Sequence, residues 1–389
     1  MTNKTPGGIE IEISMKYYII AGEASGDLHG SNLMKELKIV DAAAEFRFFG
    51  GDLMQQVGGN LVKHYREMAF MGFLNVLLNI RTIKRNMNFC KQDLLDYRPD
   101  VLILIDYAGF NLRIAEFAKQ NNITVYYYIS PKLWAWKEYR VKKIRAFVDE
   151  MFTIFPFETA FFKKHGVAVN YVGNPLFDSI GEFKKTAKSK AEFLKKHQLD
   201  ERPIIALLAG SRVQEIKYIL SVMRDAVAGR NEYQLVLPGV NSVDKKLYEQ
   251  ILKGSEIKLL FNATYDVLNH AHTALVTSGT ASLETALFNV PQTVLYKMEG
   301  GRVMDFIARR LVKIPWASLP NIILQKFAIQ EYIQLEMTVE NVSAELDKLL
   351  NDKKYRQQIF DDYKKMNELM GEPGCSKRAA EKMVELLKR

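Results

Sequence analysis

This sequence predicts an α/β protein of two doubly wound parallel-sheet (Rossmann-like) domains facing a cleft, closed by a helical C-terminal tail. Three observations carry that expectation. Apolar runs of four to six residues alternate with helical patterns in both halves of the chain, the rhythm of parallel βαβ units. The 389 residues, 48% of them hydrophobic, suffice for two cores. From Thr338 onward the pattern is purely helical and strongly charged.

In the first half the strand-like runs are Tyr17 to Ala21, Val101 to Ile105, Val125 to Ile129 and Glu150 to Ile154, each followed by polar or glycine-containing turns. After Gly173-Asn174-Pro175 a charged helical stretch, Gly181 to Gln198, reads as a solvated connector. A second series follows in Ile204 to Leu208, Tyr233 to Leu237, Lys258 to Phe261, Thr273 to Thr277 and Gln292 to Tyr296. The expected division is therefore a disordered extension over 1–14, a first domain over 15–180, a second over 181–350, and C-terminal helices over 351–389 that pack across the domains or onto a second subunit. Residues 1–14 lack the charged start and apolar centre of a signal peptide.

Composition narrows the function classes. Cys90 and Cys375 have no paired spacing, so neither a disulfide framework nor a Cys-based metal site is supported, and a reducing cytoplasm fits. The longest apolar runs are strand-length, far short of a bilayer span. A net charge of +9 points to an anionic partner, whether nucleic acid, acidic lipid surface or phosphorylated substrate, and charge alone does not choose among them. The six histidines are scattered, with no H-E-x-x-H and no Asp-x-Asp triplet, so neither metal nor other cofactor is expected. The glycines after the first strand do not match G-x-G-x-x-G and no Walker loop occurs, which weakens dehydrogenase and kinase readings.

The candidate site residues sit in loops that follow strands. In AGEASGDLHG, Gly22, Glu23, Ser25, Gly26 and Asp27 join the first strand to a helix expected to begin near Leu28, with Ser25 or Asp27 as its cap. Backbone N–H groups there could face a ligand, or the segment could be an ordinary capped turn. Asp106 ends the strand Val101 to Ile105 and opens a loop that runs to Asn111; a carboxylate in that place serves either as general base for a hydroxyl or as a helix cap. Ser130, Trp134 and Trp136 follow another strand and either line an acceptor cleft or pack in a core. In the second half, Gly210, Ser211 and Arg212 precede a helix start, a combination that stabilises diphosphate through N–H groups and a guanidinium. Ser278, Gly279 and Thr280 repeat the strand-turn-helix arrangement, with Glu284 one turn into the helix, where a carboxylate can accept ribose hydroxyls. Two basic amphipathic stretches complete the set. Phe73 to Phe89 presents Phe73, Leu74, Leu77 and Leu78 beside Arg81, Lys84 and Arg85, which suits an anionic membrane surface or a core helix. Arg302 to Lys313 invites the same reading, or a dimer contact.

Taken together, these segments closely resemble lipid A disaccharide synthase along nearly the whole chain from Met15. AGEASGDLHG, MGF at Met71, LIDYAGFN, SPKLWAWK, FPFE at Phe155, VGNP at Val172, LLAGSR, TSGTASLE and SLPN ending at Asn321 occur in order. The resemblance implies a GT-B fold and an inverting, metal-independent glycosyltransferase. Its donor would be UDP-2,3-diacylglucosamine, its acceptor 2,3-diacylglucosamine 1-phosphate (lipid X), and its products the β-1′,6-linked disaccharide 1-phosphate and UDP. Asp106 matches the family's essential carboxylate, and Arg212, Glu284 and Asn321 match UDP-site residues. Where relatives often carry a second Asp, as in IDAPDFN, this chain has Gly109, which concentrates the base role on Asp106. The resemblance further implies a peripheral place on the cytoplasmic face of the inner membrane and a homodimer through the C-terminal segment. Two alternatives remain. One is another GT-B enzyme, a peptidoglycan-precursor N-acetylglucosaminyltransferase or a UDP-sugar epimerase. The other, a basic nucleic-acid-binding protein, ranks far lower because the aromatics fall mostly in strands rather than on a cationic platform.

Overall fold

A computed structural model of the chain describes residues 14–68, 80–135, 138–297 and 315–389. They fall into two compact units, one running to Pro175 and rejoined by Glu372–Arg389, the other comprising Leu176–Gly371.

The first unit is a parallel sheet of β1 (Lys16–Ala21), β2 (Glu45–Gly50), β3 (Asn60–His64), β4 (Val101–Ile105), β5 (Thr124–Tyr128), β6 (Glu150–Thr153) and β7 (Asn170–Tyr171), in the order β3-β2-β1-β4-β5-β6-β7. Helices α1 (Ala24–Val40), α2 (Asp52–Val57), α3 (Ile80–Tyr97), α4 (Ala108–Gln120) and α5 (Pro156–Lys164) cover it. Strands β1 and β4 are buried almost throughout because helices lie on both faces, which is why they read as unbroken apolar runs. Each fully buried Ile or Leu there contributes about 1.5–3 kcal/mol. The strand order reverses between β1 and β4, and their register pairs Ala21 with Ile105. The loops after these two strands therefore emerge side by side at the switch point, where open α/β sheets bind ligands.

The second unit repeats the plan with β8 (Ile204–Leu208), β9 (Gln234–Gly239), β10 (Lys258–Phe261), β11 (Ala271–Thr277), β12 (Gln292–Tyr296) and β13 (Glu331–Ile333), in the order β10-β9-β8-β11-β12-β13. Its switch point lies between β8 and β11, where Leu208 pairs with Val276. Its helices include α6 (Lys190–His197), α7 (Val213–Ala226), α8 (Thr264–His270), α9 (Thr280–Leu287), α10 (Val339–Asn351) and α11 (Lys353–Met370). The stretch expected as a solvated connector is partly core: Ser189 caps α6 by a reciprocal pair of bonds with Glu192, and Phe193 and Leu194 pack beneath β8 and β9. Of the charged C-terminal helices, α10 packs on α7 within the second unit. The last, α12 (Cys375–Leu387), belongs to the first unit and lies on α1. Cys375 Sγ donates to the Gly173 carbonyl at 3.1 Å, and Arg378 Nε donates to the Val172 carbonyl at 2.9 Å. Among the described residues no helix is long and apolar enough to cross a membrane.

Candidate functional site

In the first unit, α1 starts at Ala24 rather than near Leu28, with Glu23 as N-cap and no side-chain cap bond. Ser25 is exposed, and Asp27 caps a different helix. Its buried carboxylate accepts the main-chain N–H groups of Gly51 (2.8 Å), Leu53 (3.1 Å) and Met54 (3.1 Å), which fixes the start of α2. Gly22 meets a packing need, since a Cβ there would stand 2.3 Å from Tyr107 Cδ1. Gly26 packs on Ala21, where an added Cβ would lie 3.2 Å from the Ala21 Cβ.

Asp106 stands at the C-terminal tip of β4 in a left-handed conformation (φ 44°), followed by Tyr107 in the same region (φ 46°). Two consecutive non-glycine residues there are strained and persist only because their surroundings hold them. The holders are visible. Buried Asn111 donates through Nδ2 to the carbonyls of Ile105 (3.2 Å) and Asp106 (2.8 Å). Tyr127 donates its hydroxyl to the Asp106 carbonyl, and Tyr107 donates its own to the Met68 carbonyl at 2.8 Å. Tyr107, the residue after Asp106, is the N-cap of α4 and makes no side-chain cap bond, while the Asp106 carboxylate accepts the Tyr107 N–H. The Asp106 side chain reaches solvent, yet the protein atoms crowding it raise its pKa, while the Lys132 charge and the Tyr107 N–H draw it back. A carboxylate so raised is a better proton acceptor than an ordinary aspartate. At Gly109 an added Cβ would meet nothing within 4 Å, so packing does not demand glycine there.

The loop after β5 begins at Ile129, a β-branched residue at φ 65°. Ser130 and Trp134 are buried. Trp134 Nε1 donates to Glu158 Oε1 at 3.2 Å, and its ring meets Phe157 edge-on at 5.0 Å. Trp134 is thus a packing residue whose polar edge is satisfied inside the unit. Glu158, absent from the sequence-derived candidates, emerges as a buried carboxylate. Trp136 and the membrane-face candidates Phe73, Leu74, Leu77 and Leu78 lie outside the described residues, as does the stretch Arg302 to Lys313.

In the second unit, Gly210 takes φ 97°, and a Cβ there would come within 2.4 Å of Glu215 Oε2. That oxygen accepts the N–H groups of Ser211 (3.2 Å) and Arg212 (3.3 Å), while Arg212 Nη1 donates to Glu215 Oε1 at 3.1 Å. The anion position of this turn is filled by the chain's own carboxylate, and the Arg212 side chain is 65% exposed. Across the switch point, Gly279 (φ 141°) caps α9, Thr280 is exposed, and Ser278 donates to the Ala317 carbonyl at 2.8 Å. Glu284 accepts the Tyr265 hydroxyl at 2.8 Å, and burial holds its pKa above the ordinary value. Asn321 is held from several sides within its own loop. It is fully buried, Nδ2 donates to the Ile329 carbonyl (2.9 Å) and to Glu331 Oε1 (2.7 Å), and Oδ1 accepts from the N–H groups of Ala328 (2.8 Å) and Ile329 (3.0 Å). Its side-chain amide is spent on the loop before β13.

Two doubly wound parallel units, each with its candidate residues at the switch point of its own sheet, define a GT-B type fold. Solved structures with this fold include UDP-GlcNAc 2-epimerase from Neisseria meningitidis bound to UDP-GlcNAc, with a TM-score of 0.69 and 14% identity over 96% of this chain and 100% of that one. The calicheamicin glycosyltransferase CalG4 gives a TM-score of 0.61 and 12% identity over 97% of this chain and 99% of that one. Sequence specifies more: a family model described as lipid-A-disaccharide synthetase matches residues 17–384. The lipid-A-disaccharide synthase of Geobacter metallireducens is 36% identical over 376 residues, covering 95% of this chain and 96% of the relative. That of Syntrophotalea carbinolica is 35% identical over 385 residues, 97% of each. The chain belongs to the lipid-A-disaccharide synthetase family, and is thus a glycosyltransferase of lipid A biosynthesis.

Proposed function

We propose that the enzyme transfers 2,3-diacylglucosamine from UDP to the 6-hydroxyl of lipid X, releasing UDP and the β-1′,6-linked disaccharide 1-phosphate with inversion at the anomeric carbon. The observation that most supports this reading is Asp106, a strained, pKa-raised carboxylate at the switch point of the first sheet. An acceptor alcohol is a poor nucleophile while protonated, and Asp106 removes its proton as the sugar–oxygen bond forms. In the second unit UDP takes the place of Glu215 on the Gly210-Ser211-Arg212 turn, where Arg212 offsets the charge that develops on the leaving diphosphate. Ser278, Gly279 and Thr280 face the phosphates at the start of α9, Glu284 accepts from the ribose, and Asn321 shapes the neighbouring loop.

The lipid substrates place the enzyme at the cytoplasmic face of the inner membrane in this reading. Supporting it at the described end of the basic amphipathic stretch, Ile80 and Phe89 are 59% and 46% exposed beside exposed Arg81, Lys84 and Arg85. A homodimer through the C-terminal segment belongs to the same proposal, and light scattering on the purified enzyme tests it. The reaction is tested by incubating the enzyme with UDP-2,3-diacylglucosamine and lipid X in detergent micelles and following the disaccharide by mass spectrometry. Product and UDP in equal amounts support the reading, and their absence with folded protein overturns it.

A further inference from the structure

Glu331 is buried in β13, opposite Val294 of β12, and the proposed reaction gives it no role. Its carboxylate is filled from one segment of chain. Oε2 accepts the Ala317 N–H at 2.8 Å, while Oε1 accepts the Ser318 N–H at 2.9 Å, the Ser318 hydroxyl, and the Asn321 amide at 2.7 Å. All four donors are neutral, so the carboxylate fixes a segment rather than balancing a charge. The far side of the same segment meets the start of α9. Ser278 donates its hydroxyl to the Ala317 carbonyl at 2.8 Å, and Ser282 Oγ accepts the Leu319 N–H at 3.3 Å while donating to the Gly279 carbonyl at 2.8 Å. The Ser278 N–H is held from β12, by the Leu295 carbonyl at 2.9 Å. A main-chain carbonyl can only accept, so both hydrogens of Ser278 are committed within the unit. What the turn offers a diphosphate is therefore the N–H groups that open α9, which have no partner inside the helix. Gly279, at φ 141°, has little conformational preference of its own, so the direction of those groups depends on how the turn is held.

We propose that Glu331 is a positioning residue for the donor: it clamps the segment from Ala317 to Asn321, which in turn sets the angle at which the first N–H groups of α9 meet the diphosphate. The inference rests on UDP binding at that turn. Each link is a hydrogen bond. One path runs from the Glu331 carboxylate through the Ala317 peptide to the Ser278 hydroxyl, and a second runs through Ser318 and the Leu319 N–H to Ser282. Asn321, bonded both to Glu331 and to the main chain of Ala328 and Ile329, joins the clamp to the loop that enters β13. The framework behind it is the sheet itself, since β12 pairs with β11 at Thr277 and with β13 at Glu331.

Glu331→Gln keeps the shape of the side chain and, whichever way the amide is turned, sets an NH2 group against a donor. The expected result is UDP affinity weakened roughly tenfold, the scale of one or two hydrogen bonds, as read by isothermal titration. KM for the donor should rise with it and KM for lipid X should not. Ser278→Ala should reproduce the loss, and the double variant should bind UDP no more weakly than the weaker single one. A further readout needs neither ligand nor turnover: hydrogen exchange followed by mass spectrometry should quicken over 279–283 in both single variants and stay unchanged over 212–216, on the turn across the switch point. If Glu331→Gln fails to fold, Ser318→Ala, which removes the hydroxyl bond alone, carries the test with a smaller loss in the same direction. Wild-type UDP affinity in folded Glu331→Gln protein, exchange quickened equally at both turns, or additive losses in the double variant overturn the inference and leave the UDP site standing. A wild-type protein that binds no UDP overturns both.

Discussion

The side-chain amide of Asn111 donates to the main-chain carbonyl of Asp106 at 2.8 Å, so a residue in the first turn of α4 holds the strained backbone before that helix. Asn111→Ala leaves two carbonyls in a buried site without that donor, a cost of about 1–3 kcal/mol. A lowered Tm and a kcat loss greater than the loss of UDP affinity are the expected outcomes, read by calorimetry and steady-state kinetics. Unchanged stability in this variant would mean that water or another donor replaces the amide without cost.

Burial raises the Asp106 pKa, so the ionised form is disfavoured in the folded protein. For a carboxyl whose folded pKa exceeds its unfolded value, the penalty is absent below the unfolded value and complete above the raised one. Asp106→Asn should therefore raise Tm at neutral pH, and the gain should vanish in acid, while the acid limb of wild-type kcat lies above the ordinary aspartate range. Scanning calorimetry from acid to neutral pH checks the first, and a pH–rate profile the second. A destabilised Asp106→Asn protein at neutral pH would assign the side chain a structural role.

Much of the fold was legible because strands covered on both faces leave unbroken apolar runs, as in β4, β8 and the Tyr17 to Ala21 part of β1. Strand β2 was not legible, since Arg47 interrupts its apolar run in order to pair with Asp93 on α3. Strand β13 has three residues, and its buried Glu331 receives the N–H groups of Ala317 and Ser318, a reason for a carboxylate that no local pattern contains. The candidate loops were found because glycine and hydroxyl residues cluster after strands. Partner choice was not found, because it is non-local: Asp27 reads as a cap for its own helix and caps α2, Asn321 reads as a ligand contact and ties down a loop, and Glu158 meets Trp134 only through the fold.

Tyr265 donates to Glu284, and in the proposed UDP site removing that hydroxyl would leave the carboxylate less well aimed at a ribose. Tyr265→Phe should weaken UDP binding by roughly two- to tenfold, the worth of one hydrogen bond. Because burial also raises the Glu284 pKa, wild-type UDP affinity should strengthen as pH rises through that value. Isothermal titration across pH checks both, and a pH-independent affinity equal in the two proteins would remove Glu284 from the UDP site.

The absence of any Asp-x-Asp triplet in the sequence predicts that turnover survives chelation. Product formation in EDTA should match the untreated rate. Loss of activity restored by Mg²⁺ would show that a divalent ion serves the leaving diphosphate in the role proposed for Arg212.

The most direct test is the turnover of Asp106→Asn measured beside its UDP affinity. If Asp106 is the general base proposed for the lipid X hydroxyl, it should contribute roughly a hundredfold or more, so disaccharide formation should fall by that factor while UDP binding at the site proposed in the second unit stays at the wild-type level. Near-normal turnover in folded Asp106→Asn protein would contradict the account.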